Sequence, residues 1–386
     1  MSTDKIHIKA VDDLVSPGLR TDEITEFDQE AYLKLVSVEL TPDQVERVVM
    51  PDEIYYRQDS ILAVHWHPEF VPLDLILRRI HGTFPNSNLE LIIPTQHNVL
   101  MSLKGYSGVE VDCYSREFNR KVQLLAHFES SRLENAHVFK KMLAHTFQYR
   151  YSQLYEFMDT ILEPRFENRL HQAAAKTGAD DMLIKFLRVC TGKIKRLIEK
   201  NFMITPREML RNKLLKYYLD LLRDYYDEVV INRAQIFLHA IKAIVKANFS
   251  MQHFYDTKEV IEEVRSLGGG IVVPHPEQFW PILLAHYDVD GYEVWNPQSR
   301  DYTEFLINVV HRQNEARSGR PILIFMGDDC HMGEKVKDSR YQDPAKAARQ
   351  VGYQPGWDDP AIRKSLILAN VDRRKLIEEY KSRLNN

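Results

Sequence analysis

Metal-binding residue types stand at the ends of short apolar runs along this chain. They are His65, His67, His97, Glu110, His275, Asp329 and His331. The runs before them have the length and composition of buried strands. In β/α barrels the loops after the strands converge on one face, so residues that are distant in sequence can meet in one pocket. The pattern therefore predicts a metal site on an α/β barrel.

Strands and helices alternate on both sides of a long helical stretch. The predicted strands are 61–64, 89–93, 108–113, 121–128, 270–274, 292–295 and 321–326, and the predicted helices between them are 71–80, 256–267, 278–286 and 302–315. Strands 108–113 and 121–128 read as a hairpin because only a short polar segment separates them. This alternation predicts the α/β class.

Residues 130–253 have helical spacing of their apolar positions throughout, which predicts an all-helical insertion. Within it, Thr205, Pro206 and Glu208 form a capping-box pattern that predicts a helix from 206 to 225. The predicted division of the chain is a 1–58 extension packing on the barrel, the barrel itself at 59–129 and 254–386, and the 130–253 insertion.

Composition narrows the class of partner and compartment. The 386 residues are 44% hydrophobic and carry a net charge of -4, so a large core is expected and long polyanions are not attracted globally. Nucleic acid is thus an open but disfavoured substrate. The amino terminus lacks an apolar signal core, no segment reads as a membrane helix, and the three cysteines form no CxxC pair. We expect a cytoplasmic protein without membrane contact.

Spacing within the clusters supports a shared metal. Residues two apart in a strand face the same side, so His65 and His67 can both approach one ion. The same holds for Asp329 and His331, with Cys330 between them facing away. Imidazole and carboxylate donors together suit zinc, manganese or iron, and their number suffices for two or three divalent ions.

The order of the motifs resembles the polymerase and histidinol phosphatase (PHP) superfamily. The matching segments are His-x-His at 65–67, Thr-Gln-His-Asn at 95–98, Val-Pro-His-Pro at 273–276, Gly-Tyr-Glu-Val-Trp-Asn at 291–296 and Gly-Asp-Asp-Cys-His at 327–331. The resemblance covers about 60–128 and 256–335. It implies a distorted (β/α)7 barrel that hydrolyses phosphate esters.

The resemblance also implies a ligand set. His65, His67, Glu110 and Asp329 would hold one metal, Glu110 and His275 a second, and His97 and His331 a third. Glu69 and Asp74 are alternative residues to complete the third site. Glu293 would support the ligands rather than bind metal.

The chain departs from the family pattern at Ala63, Gln96 and Gln123. Gln123 stands where the family has a histidine ligand of the second metal. His127 lies four residues further along the same strand face and is an alternative ligand.

The expected chemistry is attack on a phosphate ester by a hydroxide shared between two metals. Glu110, Asp329 and His331 are the predicted catalytic residues, and the leaving-group acid is His127 or His331. Lys335 and Arg340 follow the last ligand cluster and could bind the substrate phosphate.

The sequence is also compatible with two other functions. One is an amidohydrolase-type metallohydrolase, which also uses His-x-His and later histidines. The other is a PHP-like barrel that has lost catalysis and serves as a binding module. We expect a small phosphate ester as the substrate and a homo-oligomer formed through the helical insertion.

Overall fold

The computed structural model describes residues 22–386, which form two compact units. One unit is helical and contains 22–39 and 148–250, and the other contains 40–147 and 251–386 with all the described strands. The α-helices are α1 (Glu26–Val36), α2 (Pro42–Val49), α3 (Leu73–Thr83), α4 (His137–Phe147), α5 (Tyr149–Leu162), α6 (Glu167–Thr177), α7 (Asp181–Asn201), α8 (Lys213–Leu221), α9 (Glu228–Asn248), α10 (Thr257–Ser266), α11 (Thr303–Glu315), α12 (Met332–Val336), α13 (Pro344–Ala347), α14 (Arg363–Leu368) and α15 (Arg373–Asn385).

A buried ion pair ties α1 into the helical unit. Lys193 Nζ on α7 donates to Asp28 Oδ2 on α1 at 2.8 Å, and the Tyr218 hydroxyl on α8 donates to the other carboxylate oxygen. A buried charge needs such partners because water no longer solvates it. The structure thus places 22–39 with the helices and 40–58 with the strands, whereas the sequence predicted one extension over 1–58; residues 1–21 lie outside the described part.

The predicted helix over 206–225 is confirmed only over Lys213–Leu221, and its predicted bounds were wrong. The chain forms a 3-10 turn at Arg207–Met209, leaves helical geometry at Leu210 and enters α8 only at Lys213. The Thr205 hydroxyl donates to the backbone oxygen of Asn201 at 2.9 Å instead of capping the turn. The capping-box pattern therefore did not start a long helix.

The strands are β1 (Ser60–Ala63), β2 (Trp66–His67), β3 (Leu89–Ile92), β4 (Met101–Leu103), β5 (Tyr106–Ser115), β6 (Arg120–Glu129), β7 (Gly270–Val273), β8 (Gly291–Trp295), β9 (Leu323–Met326) and β10 (Cys330–His331). Strands β4 to β9 form one sheet in sequence order, antiparallel from β4 to β7 and parallel from β7 to β9. The pairing of β5 with β6 confirms the predicted hairpin. Two small parallel sheets pair β1 with β3 and β2 with β10.

The strand unit is mixed α/β, and its described residues form no closed barrel. Backbone contacts join the separate sheets: a parallel bridge links His97, after β3, to Glu110 of β5, and Thr95 N, also after β3, donates to Trp66 O of β2 at 3.0 Å. The distorted (β/α)7 barrel stays a prediction.

Helices pack on the large sheet from β5 to β9. Side chains of α4, α10 and α11 pack on it in one hydrophobic core. Phe139 of α4 meets Phe128 of β6 with ring centroids 5.4 Å apart. Because of this packing α4 belongs to the strand unit, and the helical unit resumes at 148 rather than at the predicted 130.

The segment after β7 is a kinked 3-10 stretch, Pro276–Leu284, rather than the predicted α-helix. Pro281 inside it has no N–H to donate, which disfavours a regular α-helical turn there. No helix in residues 22–386 is both long enough and apolar enough to cross a bilayer.

Candidate metal centre

Side chains from the carboxyl ends of several strands meet in the strand unit. Their ligand atoms form three groups, each within 4.8 Å: His65 with Glu110 and His275, His65 with His67 and Asp329, and His67 with His97 and His331. The structure thus brings together seven of the eight side chains that the sequence predicted as metal ligands.

The backbone pairing explains why distant residues meet. Parallel pairing of β2 with β10 sets His331 directly beside His67. The bridge between His97 and Glu110 brings the end of the β3 segment to the middle of β5. Each histidine or carboxylate of the groups thus lies in a strand or within five residues of the end of one.

Two of the grouped residues have left-handed backbone geometry. His275 has φ of 30° and Asp329 has φ of 44°, a region that residues other than glycine seldom adopt. Such strain persists only where the surrounding structure imposes it, and it is concentrated at functional sites. His275 lies two residues after β7, and Asp329 lies three residues after β9.

Two carboxylate oxygens face the imidazoles. Glu110 Oε2 lies 3.1 Å from His97 Nδ1, 3.3 Å from His67 Nε2 and 4.0 Å from His65 Nε2. Asp329 Oδ1 lies 3.4 Å from His67 Nε2, 3.5 Å from His331 Nε2 and 3.8 Å from His65 Nε2. His67 and His65 therefore stand between two acidic side chains.

Several of these buried atoms have no hydrogen-bond partner within residues 22–386. They include His65 Nε2, His275 Nδ1 and Glu110 Oε2. An unsatisfied buried polar atom costs about 1–3 kcal/mol, and native structures contain few of them. Here three such atoms lie close together, two imidazole nitrogens and one carboxylate oxygen. Zinc, manganese and iron bind this combination of ligand atoms. The residues present fit divalent cations.

Burial and neighbouring charges shift the pKa values of the cluster. Burial lowers the pKa of His67 to about 3, helped by the charge of His331, which leaves His67 in the neutral form that binds metal. Burial raises the pKa of Glu110 to about 8. Burial alone would also raise the pKa of Asp329, but hydrogen bonds from His331 and His67 outweigh it and hold that pKa well below its usual range.

Glu293 orients two of the histidines from behind. His65 Nδ1 donates to Glu293 Oε1 at 2.8 Å, which leaves His65 Nε2 pointing toward Glu110 and Asp329. The other carboxylate oxygen of Glu293, Oε2, accepts a hydrogen bond from His275 N at 2.9 Å. Burial disfavours the charged form of His65, but Glu293 outweighs it and raises the pKa of His65 to about 10.

Gln298 and Arg349 hold Asp329 and were missed by the sequence analysis. Gln298 Nε2 and Arg349 Nη1 donate to Asp329 Oδ2 at 2.7 Å and 2.6 Å. Because both donors occupy Oδ2, the carboxylate presents Oδ1 to the histidines. Gln298 could have been found from its position three residues after a predicted strand, whereas Arg349 follows no strand and carries no motif.

Of the two residues considered for the third group, Glu69 lies at the cluster. Its Oε1 is 3.6 Å from His331 Nδ1. Asp74 is exposed in the first turn of α3. Gly333 makes room for Glu69, because a Cβ there would come within 1.8 Å of Glu69 Oε2.

His127 is not among the grouped ligands. Its Nε2 donates to Val64 O at 2.9 Å, so its Nδ1 accepts from the Tyr380 hydroxyl at 2.8 Å. Burial lowers the pKa of His127 to about 3. Both nitrogens are therefore used in the core, and Gln123 donates to Asp112 Oδ1 at 3.2 Å.

The two predicted phosphate-binding residues also lie outside the three groups. Lys335 is buried and donates to Asp52 Oδ2 at 2.7 Å and to the backbone oxygen of Ala347. Arg340 is exposed and donates to Asp338. Lys335 is thus committed to structural contacts.

No protein-family model and no curated protein matches the chain. Among solved structures, it is similar to a crystal structure of a protein from Bifidobacterium adolescentis proposed to be a metal-dependent phosphoesterase. The likeness has a TM-score of 0.37 and 16% identity and covers 83% of this chain and 99% of that one.

Proposed function

We propose that the strand unit is a metal-dependent hydrolase, most specifically a phosphoesterase of the PHP type with two or three divalent ions. The observation that carries this proposal is the position of Glu110. Its Oε2 approaches His67 and His97 on one side, and the residue also groups with His65 and His275. One carboxylate reaching two ligand groups is the arrangement that a centre of adjacent metals requires.

We assign the ligand side chains to three ions. His65, His67, Glu110 and Asp329 would hold one ion, Glu110 and His275 would hold part of a second, and His97, His331 and Glu69 would hold a third. Divalent ions bound here would polarise a phosphoryl oxygen and lower the pKa of a water molecule. Glu293, Gln298 and Arg349 would keep the ligands oriented through the hydrogen bonds described above.

The proposed proton donor to the leaving group is His331, in a centre that holds two ions and leaves His331 uncoordinated. The sequence left His127 and His331 as alternatives. His127 is buried with both nitrogens bonded and a pKa lowered to about 3, which removes its capacity to donate at neutral pH. His331 is 19% exposed, so a substrate oxygen can approach it.

The identity of the ligand that two metals would share favours a phosphate ester over an amide. Amidohydrolases typically use a carbamylated lysine as the ligand shared by two metals, and the acidic Glu110 occupies that role here. A small phosphate ester is the proposed substrate because phosphoryl transfer needs chiefly the neutralisation of negative charge, which a multi-cation centre provides.

The proposal is tested on full-length protein purified without chelator. Metal content is measured by elemental analysis, and phosphate monoesters, diesters and amides are screened with added manganese or zinc. We expect at least two equivalents of metal and hydrolysis of phosphate esters. Hydrolysis of amides alone would favour the amidohydrolase reading, and less than one equivalent of metal would favour the binding module.

Variants link any activity to the cluster. His65→Ala and Asp329→Ala should each reduce phosphate-ester turnover to background. His311→Ala is the matched control, because His311 is a histidine of α11 that is 40% exposed and pairs with Glu315 at 3.4 Å. Wild-type rates in both cluster variants would refute the assignment.

A further inference from the structure

Four arginines surround a cavity of about 270 Å³ in the strand unit. Its wall is formed by Arg265, Arg317, Arg320 and Arg383, with Asp288, Asp290 and a single apolar residue, Val289. Four guanidinium groups face two carboxylates, so the lining is positive although the whole chain carries -4. Counting Glu379, which pairs with Arg383 at 2.8 Å, still leaves an excess positive charge.

Two of the arginines are fixed in place. Arg265 Nη1 donates to Asp290 Oδ2 at 2.6 Å and its Nε donates to Asp288 Oδ2 at 2.9 Å. Arg383 Nη2 donates to Pro321 O at 2.9 Å. Asp290 is itself held, because its Oδ2 accepts from Ile271 N at 2.8 Å. One side of the cavity is therefore a rigid frame.

The other two arginines have no such commitment. Within residues 22–386, neither Arg317 nor Arg320 donates a side-chain hydrogen bond or pairs with a carboxylate, and both are exposed. They stand three residues apart in the loop between α11 and β9. A guanidinium presents a planar fork of donors that fits phosphate oxygens bidentately. Two unpaired forks beside a rigid frame of paired charges are suited to a multiply charged anion.

The cavity lies at the opposite end of the strands from the metal ligands. Asp290 directly precedes β8 and bonds to Ile271 near the start of β7, whereas His275 follows the end of β7. A strand rises about 3.3 Å per residue, so the four residues of β7 separate the two places by roughly 10 Å or more. One small molecule therefore does not reach both.

We propose that this cavity binds a small phosphate-bearing anion at a site separate from the metal centre. Its size is near the lower limit for ligand pockets, and every residue of its lining except Val289 carries a charge. Both features select a compact, highly charged ligand such as inorganic phosphate or pyrophosphate. The proposal does not depend on the chemistry assigned to the metal centre.

The test is calorimetric titration of pyrophosphate, and separately of inorganic phosphate, into full-length protein treated with chelator and held at low ionic strength. We expect one pyrophosphate site per chain. Arg317→Ala combined with Arg320→Ala should weaken binding by about tenfold or more, because charge-assisted hydrogen bonds are lost. Both residues are exposed and make no side-chain hydrogen bond in the described structure, so these changes should leave the fold intact.

The matched control combines Arg57→Ala with Arg78→Ala. These two arginines are exposed, line no part of the cavity, and change the net charge by the same amount. The control should bind pyrophosphate as the wild type does, and so should His65→Ala. Equal weakening in both double variants, or absence of binding to the wild type at millimolar pyrophosphate, would overturn the proposal. Loss of binding only in His65→Ala would place the anion at the metal cluster instead, which also overturns it.

Discussion

Arg349 Nη1 donates to Asp329 twice, to Oδ2 at 2.6 Å and to the backbone oxygen at 2.7 Å. Both atoms belong to a residue with left-handed backbone geometry, so the arginine fixes the turn as well as the carboxylate. The other oxygen of that carboxylate, Oδ1, faces three imidazoles. Arg349, which binds no metal in our assignment, thus orients the metal ligand Asp329.

Replacing Arg349 by alanine should weaken metal binding. Asp329 would lose its orientation, and the loss of such supporting hydrogen bonds typically costs about 10–100-fold in metal affinity. The measurement is competition for zinc between the chelator-treated protein and a chromogenic chelator. Arg340→Ala is the control, since Arg340 is an exposed arginine that pairs with Asp338. Equal affinities in the two variants would show that Arg349 does not position Asp329.

Gly327 should be required for the contact between His65 and Glu293. A Cβ at this position would come within 1.5 Å of Glu293 Oε1 and 3.0 Å of His65 Nδ1. Gly327→Ala should therefore displace Glu293 and reduce zinc affinity about 10–100-fold, as Glu293→Ala should. In Gly319→Ala the added methyl group meets nothing closer than Arg317 Nε at 3.8 Å, and this control should bind zinc normally. Unaltered affinity in Gly327→Ala would refute the positioning role of Glu293.

His127 should contribute to stability and not to metal content. Removing its imidazole leaves Val64 O and the Tyr380 hydroxyl without their partner in the core, which should cost about 2–4 kcal/mol. We expect His127→Ala to lower the urea midpoint of unfolding while the folded protein keeps the wild-type number of metal equivalents. If the variant instead loses one equivalent and keeps its stability, His127 is a ligand.

The buried ion pair of the helical unit should make stability depend on pH. Burial alone would raise the pKa of Asp28, but hydrogen bonds from Lys193 and Tyr218 outweigh it and lower that pKa. The ionised carboxylate therefore stabilises the fold above its unfolded pKa of about 3.9, and this contribution is lost as pH falls through the lower folded value.

Asp28→Asn should accordingly destabilise the protein by about 3–5 kcal/mol at pH 7, since Lys193 is left buried and unpaired, and by less near pH 3. The check is the difference in urea midpoint between variant and wild type at the two pH values. Asp28→Asn combined with Lys193→Met should recover part of the loss at pH 7. A pH-independent difference would show that the ion pair is not the cause.

Much of the strand unit was predictable because its pattern is local. The apolar runs before His65, His275 and Asp329 are short buried strands, and the β5–β6 hairpin follows from two runs joined by a polar segment. His65 and His67 were predicted to share one face of a strand because they are two residues apart. The meeting of strand ends then made a single cluster of residues that are up to 266 positions apart, from His65 to His331.

Other features depend on tertiary contacts that no local pattern records. Arg349 reaches Asp329 because the chain after α13 folds back over the strand ends. His127 was an alternative ligand because it lies four residues after Gln123 on the same strand. In the structure that face of the strand packs against Tyr380 of α15. The capping-box pattern at Thr205 failed because the hydroxyl has other partners, Tyr32 at 2.6 Å and Asn201 O.

The most direct test of the metal centre is a manganese titration of chelator-treated full-length protein while the hydrolysis of p-nitrophenyl phosphate is followed. We predict that the rate rises from background with added manganese and levels off at about two to three equivalents per chain, as a centre of adjacent ions requires. A rate that stays at the level of Asp329→Ala with saturating manganese would contradict it.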